Sequence, residues 1–322
     1  MADLLVRVEN LKKYFPINDG VFSRTARFVK AVDGLSFTIS KGETYGLVGE
    51  SGSGKSTTGR VILQLQKPTA GAVYFRGQDM AKLSKNQLRE LRKEIQIIFQ
   101  DPYSSLNPRM TAGEAIAEGL AAHGLAKGKK RREVVENIMD ACGLAPYHHH
   151  RYPHEFSGGQ RQRVVIARAL ALQPSFVVAD EPVSALDVSI QAQIINLLKG
   201  LQEKFSLTYL FISHDLSVIK HISDRVGVMY LGTLAEEAPK SEFYAHPYHP
   251  YSKALLSAVP SMDPTTKKQR LLLQSHMPSP AHPPQGCLFH PRCSDKMPVC
   301  QEVAPFFREV APGHRVACHL AE

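Results

Sequence analysis

The chain lacks any apolar run approaching the roughly 18 consecutive residues that a membrane-spanning helix requires, which excludes an integral membrane span. Its opening, MADLLVRVEN, turns acidic and polar too early for a signal peptide, so a cytosolic protein is expected. No internal repeat is present, which sets aside solenoids and propellers. No interleaving of basic and aromatic residues, the pattern that stacks bases, occurs around the basic run Lys127 to Arg132, and no nucleic-acid partner is expected. Cysteine is scarce at 5 of 322 residues. In a reducing compartment those few thiols do not predict disulfides. Yet four of them fall between Cys287 and Cys318, which points to a metal or cluster site.

At 43% hydrophobic residues the chain can bury a substantial core, and its length allows two domains or one with an appendage. The formal charge of +9 suits nucleic acid, an anionic membrane surface or a phosphate-rich ligand. The densest basic run, Lys127 to Arg132, reads as a solvated loop leading into a helix.

LLVRVENL and AVDGLSFTIS read as strands, separated by a polar, turn-rich insertion, PINDGVFSRTARFVK. An apolar strand from Thr44 to Val48 then runs through a glycine loop into an amphipathic helix. From about Pro102 to Ser157 the texture becomes helical, with Val134, Val135, Ile138, Met139 and Cys142 on one face. Cys142 is therefore a core residue. Strands and helices then alternate as far as about Leu234, which argues for a largely parallel sheet with its site at the carboxyl ends of the strands. Beyond that the pattern weakens. AHPYHPYSKALLSAVP holds one short helix at most, and MPSPAHPPQG is a proline-rich linker. The histidine tract His148 to His154 reads as a solvated loop, because three adjacent imidazoles do not converge easily on one ion.

Gly49, Glu50, Ser51, Gly52, Ser53, Gly54, Lys55 and Ser56 fit G-x-x-x-x-G-K-[ST], with Thr57 following. Backbone N–H groups of such a loop, at a helix N-terminus, cradle phosphates. Lys55 would reach the β- and γ-phosphates and Ser56 would ligate Mg²⁺. FVVADE is an apolar strand ending in two acids: Asp180 would hold Mg²⁺ and Glu181 would orient and deprotonate a water. FSGGQRQR opens a helix with Ser157, Gly158, Gly159 and Gln160, a second phosphate grip that one chain does not need for one nucleotide. It suggests a site completed by another subunit.

These residues resemble the ATPase subunits of ABC transporters, whose signature is LSGGQ; here Phe156 takes the leucine position. The resemblance covers residues 1 to about 240 and implies further roles. Gln100 would contact Mg²⁺ and sense the membrane partner. Ser184 to Asp187 would form the loop crossing the dimer interface, with Asp187 near the nucleotide, and His214 would contact the γ-phosphate. Phe15 would stack on adenine, with Tyr14 the adjacent alternative. The implied fold is α/β: a P-loop ABC-type nucleotide-binding domain with a RecA-like core, an antiparallel β part and an inserted helical subdomain. Its expected extent is residues 1–240, with the helical subdomain at about 102–163 and a small Cys-rich extension at 241–322. Two such chains would close head to tail around two ATP molecules.

HPYHPYSKALLSAVP followed by MPSPAHPPQGC resembles the C-terminal extension of the oligopeptide and dipeptide importer branch, and the second, F-type ATPase most of all. That implies a homologous partner ATPase, two transmembrane permease subunits, an extracytoplasmic peptide-binding protein, and a peripheral place on the cytoplasmic face of the inner membrane. Related nickel or small-solute importers, and non-transport ABC ATPases of translation or DNA repair, are the alternatives. A module that binds ATP without hydrolysing it is disfavoured by Glu181, His214, Gln100 and the intact SGGQ.

Cys287, Cys293, Cys300 and Cys318 suit zinc or an iron–sulfur cluster on donor chemistry. Short C-x2–4-C knuckles are missing, and His290 or His319 could replace one zinc ligand. The importer resemblance implies a [4Fe–4S] cluster. It would act as a structural staple in a segment expected to be too poor in apolar residues for its own core.

Overall fold

A computed structural model describes residues 3–17, 27–259, 271, 273 and 276–321. Its strands are β1 (Leu4–Ile17), β2 (Arg27–Ser40), β3 (Thr44–Val48), β4 (Ala70–Phe75), β5 (Gln78–Asp79), β6 (Ile95–Ile98), β7 (Phe176–Asp180), β8 (Thr208–Ser213), β9 (Arg225–Tyr230), β10 (Thr233–Pro239), β11 (Arg308–Ala311) and β12 (His314–Val316). Its α-helices are α1 (Lys55–Ile62), α2 (Lys85–Leu91), α3 (Ala112–Ala122), α4 (Gly128–Ala141), α5 (Gly158–Leu170), α6 (Val188–Phe205), α7 (Leu216–Ile222), α8 (Lys240–Ala245), α9 (Pro250–Ala258) and α10 (Val299–Glu302). The chain forms two compact units.

One unit contains Ser40–Thr44 and Lys82–Ile212. Its β6, β7 and β8 pair in parallel, with Ile95 opposite Phe176 and Phe176 opposite Thr208. Every residue of β7 and β8 is buried, as expected of parallel strands covered on both faces. Helices α3 and α5 both start on capping boxes, Thr111 with Glu114 and Ser157 with Gln160. The apolar face of α4 is buried through Val135, Ile138 and Met139, and Cys142 beside it is fully buried. Burial pushes the Cys142 thiol up to about 12. The basic run is mostly helical rather than a loop. Helix α4 begins at Gly128, and Arg132 pairs with Glu136 one turn on at 2.7 Å. The histidine tract is not simply solvated either. His148 is buried against Phe156, and its Nδ1 accepts the Ala145 N–H at 2.9 Å.

The other unit contains Leu4–Ile39, Tyr45–Ala81 and Ser213–Glu322. One sheet runs β2-β1-β4-β5, with β1 and β4 antiparallel and Val6 opposite Phe75. The strands flanking the expected insertion are longer than the sequence indicates. β1 continues to Ile17 and β2 already begins at Arg27; the stretch between lies outside the described residues. In a second set, β3 pairs in parallel with β9, β9 antiparallel with β10, β10 with β12, and β12 with β11.

Strand β10 and the hairpin β11–β12 lie where the sequence pattern fades. β10 escapes a hydrophobicity reading because it carries Glu236 and Glu237, both fully buried. Adjacent strand residues face opposite sides, and each carboxylate finds its own partners. Glu237 accepts from Arg225 at 2.5 Å and pairs with Arg315. Glu236 accepts from the Tyr248 N–H at 2.8 Å and the His249 N–H at 3.0 Å, and bonds His314 Nε2 at 2.7 Å. The C-terminal segment also has apolar anchors of its own: Phe289 and Val316 are buried, with Phe289 against Tyr230 and Tyr251.

Candidate nucleotide site and cysteine-rich segment

The phosphate loop follows β3, whose residues are all buried. Gly46 must be small, because a Cβ there would lie 2.9 Å from Ile219 of α7. Gly49 and Gly54 adopt positive φ (152° and 103°), and a side chain on either would overlap a backbone carbonyl oxygen, Met229's or Ala31's. Gly52, also at positive φ, has open space where its side chain would stand. The loop thus has packed shoulders and an open crown, a shape that fits an anion approaching backbone. Lys55 is 4% exposed, and its Nζ donates to the carbonyls of Gly49 at 2.7 Å and Glu50 at 2.9 Å. Ser53 is fully buried, while Ser51 is exposed and Ser56 and Thr57 are half-buried on the first turn of α1.

His214 is exposed just after β8, and Asp215 caps α7 by accepting the Ser217 N–H at 2.7 Å. Of the two candidate aromatics, Tyr14 is engaged through its hydroxyl, which donates to Asp33 at 2.5 Å. Burial, with Asp33, raises its pKa to about 12. Phe15 is half-buried, with Lys13 Nζ 4.9 Å from its ring centre.

In the other unit, β7 delivers Asp180, buried, at its carboxyl end and turns sharply at Glu181. Glu181 has φ 47°, a left-handed conformation rare for a residue with a side chain. It is held there by its N–H to the Ile212 carbonyl at 3.0 Å and by Ser184 Oγ donating to its own carbonyl at 3.1 Å. Strain of this kind gathers at functional positions. Gln100 Nε2 donates to Glu181 Oε2 at 3.0 Å, so two residues 81 positions apart in sequence meet at the end of the sheet.

Ser157, Gly158, Gly159 and Gln160 form the first turn of α5 and the residue before it. Phe156 just before them is buried, which explains why an apolar residue is needed there and why a phenylalanine serves. Gly159 accommodates Ile190 of α6, which a Cβ would approach to 2.6 Å. Asp187 is exposed at the N-terminus of that same helix.

The four C-terminal cysteines share one locality. Burial raises the Cys287 thiol, with nearby Cys300 and Cys318 adding to it. Burial raises Cys293 to about 11, with Asp295, Cys318 and Cys287 contributing. The Cys287 N–H donates to the Cys300 carbonyl at 2.8 Å. Among the described residues, however, no three His, Cys, Asp or Glu side chains are arranged to hold a metal ion. His290 and His319 turn to backbone carbonyls, those of Cys287 and Val303, each at 2.9 Å.

Sequence reasoning missed a set of contacts on the phosphate loop. Arg292, beside Cys293 and 6% exposed, donates through Nη1 to both carboxylate oxygens of Glu50 at 3.0 and 3.1 Å. The Glu50 N–H donates to Tyr251 Oη at 2.9 Å. No local sequence signal marks these pairs, which are 242 and 201 residues apart.

Fold and loop together define a nucleotide-binding cassette. Residues 32–184 match the ABC transporter family model, and residues 235–300 match that of the oligopeptide/dipeptide transporter C-terminal region. The oligopeptide transport ATP-binding protein AppF of Bacillus subtilis (strain 168) is 56% identical over 99% of this chain and 98% of its own. The putative oligopeptide transport ATP-binding protein YkfD of the same organism is 54% identical over 98% of this chain and 95% of its own. Among solved structures, the ATP-binding cassette MJ0796, dimeric in a post-hydrolysis state with ADP and Pi, superposes with a TM-score of 0.65 at 31% identity. That likeness covers 73% of this chain and 99% of MJ0796. The chain belongs to the oligopeptide transport ATP-binding proteins, a family of ABC-type ATPases. Among the described residues, no helix is long and apolar enough to cross a membrane.

Proposed function

We propose that this protein is the ATP-hydrolysing subunit that powers import of oligopeptides or dipeptides through a membrane ABC transporter. The observation that carries the reading is the near full-length correspondence with oligopeptide transport ATP-binding proteins, which extends through the C-terminal region. In this reading the loop Gly49 to Thr57 holds the phosphates, Glu50 apart because its N–H is already given to Tyr251, with Lys55 neutralising their charge and Phe15 against the adenine. Ser56, Gln100 and Asp180 would hold Mg²⁺, which neutralises charge developing on the transferred phosphoryl group. Glu181 orients the attacking water and accepts its proton, and the Gln100 side chain fixes the carboxylate's direction. His214 contacts the γ-phosphate. Ser157, Gly158, Gly159, Gln160 and Asp187 serve the nucleotide of a partner ATPase, which the exposed positions of Ser157, Gly158 and Asp187 permit.

The assembly proposed contains a second, homologous ATPase, two transmembrane permeases and an extracytoplasmic peptide-binding protein, with this chain peripheral on the cytoplasmic face of the inner membrane. Residues 1–240 would be the cassette and 241–322 its importer-type extension. Within that extension Cys287, Cys293, Cys300 and Cys318 would hold a [4Fe–4S] cluster as a structural staple. Their shared locality and donor chemistry support this, although the described side chains do not stand in ligand geometry.

Glu181→Gln in the assembled transporter tests the catalytic reading. ATP binding should persist while turnover falls nearly to zero. Wild-type turnover in that variant would strip Glu181 of its role as the base.

A further inference from the structure

One residue of the phosphate loop is held at every polar group it has. The Glu50 carbonyl accepts from Lys55 Nζ at 2.9 Å and from the Ser53 N–H at 3.2 Å. Its N–H is taken by Tyr251 and its carboxylate by Arg292, both from the C-terminal part of the chain. Arg292 is itself fixed. Its N–H donates to the Phe289 carbonyl at 3.0 Å, and the Phe289 ring is buried on Tyr230 and Tyr251, 5.3 and 5.4 Å away between centroids. The guanidinium lies 5.9 Å from the centre of the Tyr230 ring.

A carboxylate in a loop built to receive a triphosphate is an electrostatic liability, because like charges disfavour one another most strongly where water is displaced. Arg292 is 5% exposed at its side chain and Glu50 29%, so the pair is only weakly screened.

We propose that Arg292 is a positioning residue of the nucleotide site: from the cysteine-rich segment it cancels the charge of Glu50 and fixes the phosphate loop for ATP. This rests on the nucleotide-site reading of Gly49 to Ser56. It gives the C-terminal segment a direct influence on ATP affinity, transmitted by one ion pair and the Tyr251 hydroxyl.

The test uses the full-length chain, with MgATP binding measured by calorimetry, and the assembled transporter for kinetics. Arg292→Gln should raise the Kd and KM for ATP about tenfold, roughly what losing one charge-assisted hydrogen bond implies, with kcat little changed. Arg292→Lys, which keeps the charge, should recover most of the affinity. Glu50→Gln should bind ATP at least as tightly as wild type, and the double variant should return close to wild type because no charge remains to cancel. An unchanged Kd in Arg292→Gln, or defects that simply add in the double variant, would overturn the proposal. Should Arg292→Gln not fold, Glu50→Gln decides, and weaker binding there would overturn it. If the wild-type chain binds no MgATP, or Lys55→Ala binds it as well as wild type, the nucleotide-site reading fails instead.

Discussion

Replacing Glu236 with alanine would remove one acceptor from three donors at once. The Tyr248 and His249 N–H groups and His314 Nε2 all bond this carboxylate at 3.0 Å or less, and Glu236 is fully buried, with His249 3% and His314 1% exposed. Water therefore cannot easily take its place. The two donors on buried residues, the His249 N–H and His314 Nε2, each cost on the order of 1–3 kcal/mol when left unpaired, so the variant should lose about 4 kcal/mol, while Tyr248 lies at the surface. At roughly 2–4 °C per kcal/mol for a domain of this size, the melting temperature should fall by about 10 °C. A thermal melt of the full-length protein measures this, and hydrogen exchange at the Tyr248 and His249 amides locates it. Glu237→Ala is the control: its partners Arg225 and Arg315 keep 27% and 33% side-chain exposure, so their charges can rehydrate and the loss should be smaller. A fall under about 3 °C with both amides still protected would show that another group replaces the carboxylate, and the reasoning would be wrong.

Burial lowers the pKa of His249 to about 4, so the folded chain keeps it neutral where the unfolded chain protonates near its usual value of about 6.5. Stability from this group is complete above about pH 6.5 and is lost as pH falls toward 4, amounting to about 2 kcal/mol at pH 5 relative to pH 7. His249→Asn should flatten that slope in melts at the two pH values, since asparagine can still cap α9 in place of the imidazole that accepts the Tyr251 N–H. For the cysteines, an anaerobic, as-isolated preparation should contain iron and absorb in the visible charge-transfer region, and Cys300→Ser should lose both. A preparation with neither would rule out the cluster.

The parts of the molecule that could be read from sequence are those where local composition and local structure agree. β3, β7 and β8 are continuous apolar runs, and each leads straight into a motif, Gly49–Ser56, Asp180–Glu181 or His214. Helix α5 announces its start through Ser157 and Gln160, three residues apart. What was hidden depends on partners far along the chain. Glu236 and Glu237 read as polar residues where a pattern ends, because the groups that bond them across the sheet, His314 and Arg315, lie 78 residues downstream. Arg292 and Tyr251 look like ordinary tail residues until the fold lays them on Glu50. His148 misleads in the opposite sense: one imidazole of a polar tract is buried because Phe156 and the Ala145 N–H give it both packing and a hydrogen bond.

The two buried glutamates also set an order of events at the ribosome. A chain growing at about 5–20 residues per second presents β10 well before its neighbour β12. His314 and Arg315 follow Glu236 and Glu237 by 78 positions, so for roughly 4–16 s after β10 emerges its carboxylates lack those two partners. During that interval Glu237 has only Arg225 and Glu236 only the Tyr248 and His249 N–H groups, so burying either acid is less well compensated than in the finished fold. The native burial of β10 is therefore complete only once the hairpin that ends in Val316 has joined it. The hairpin β11–β12 completes the pairing of β10, and a nascent chain interrupted before it would lack His314 and Arg315 for the two glutamates.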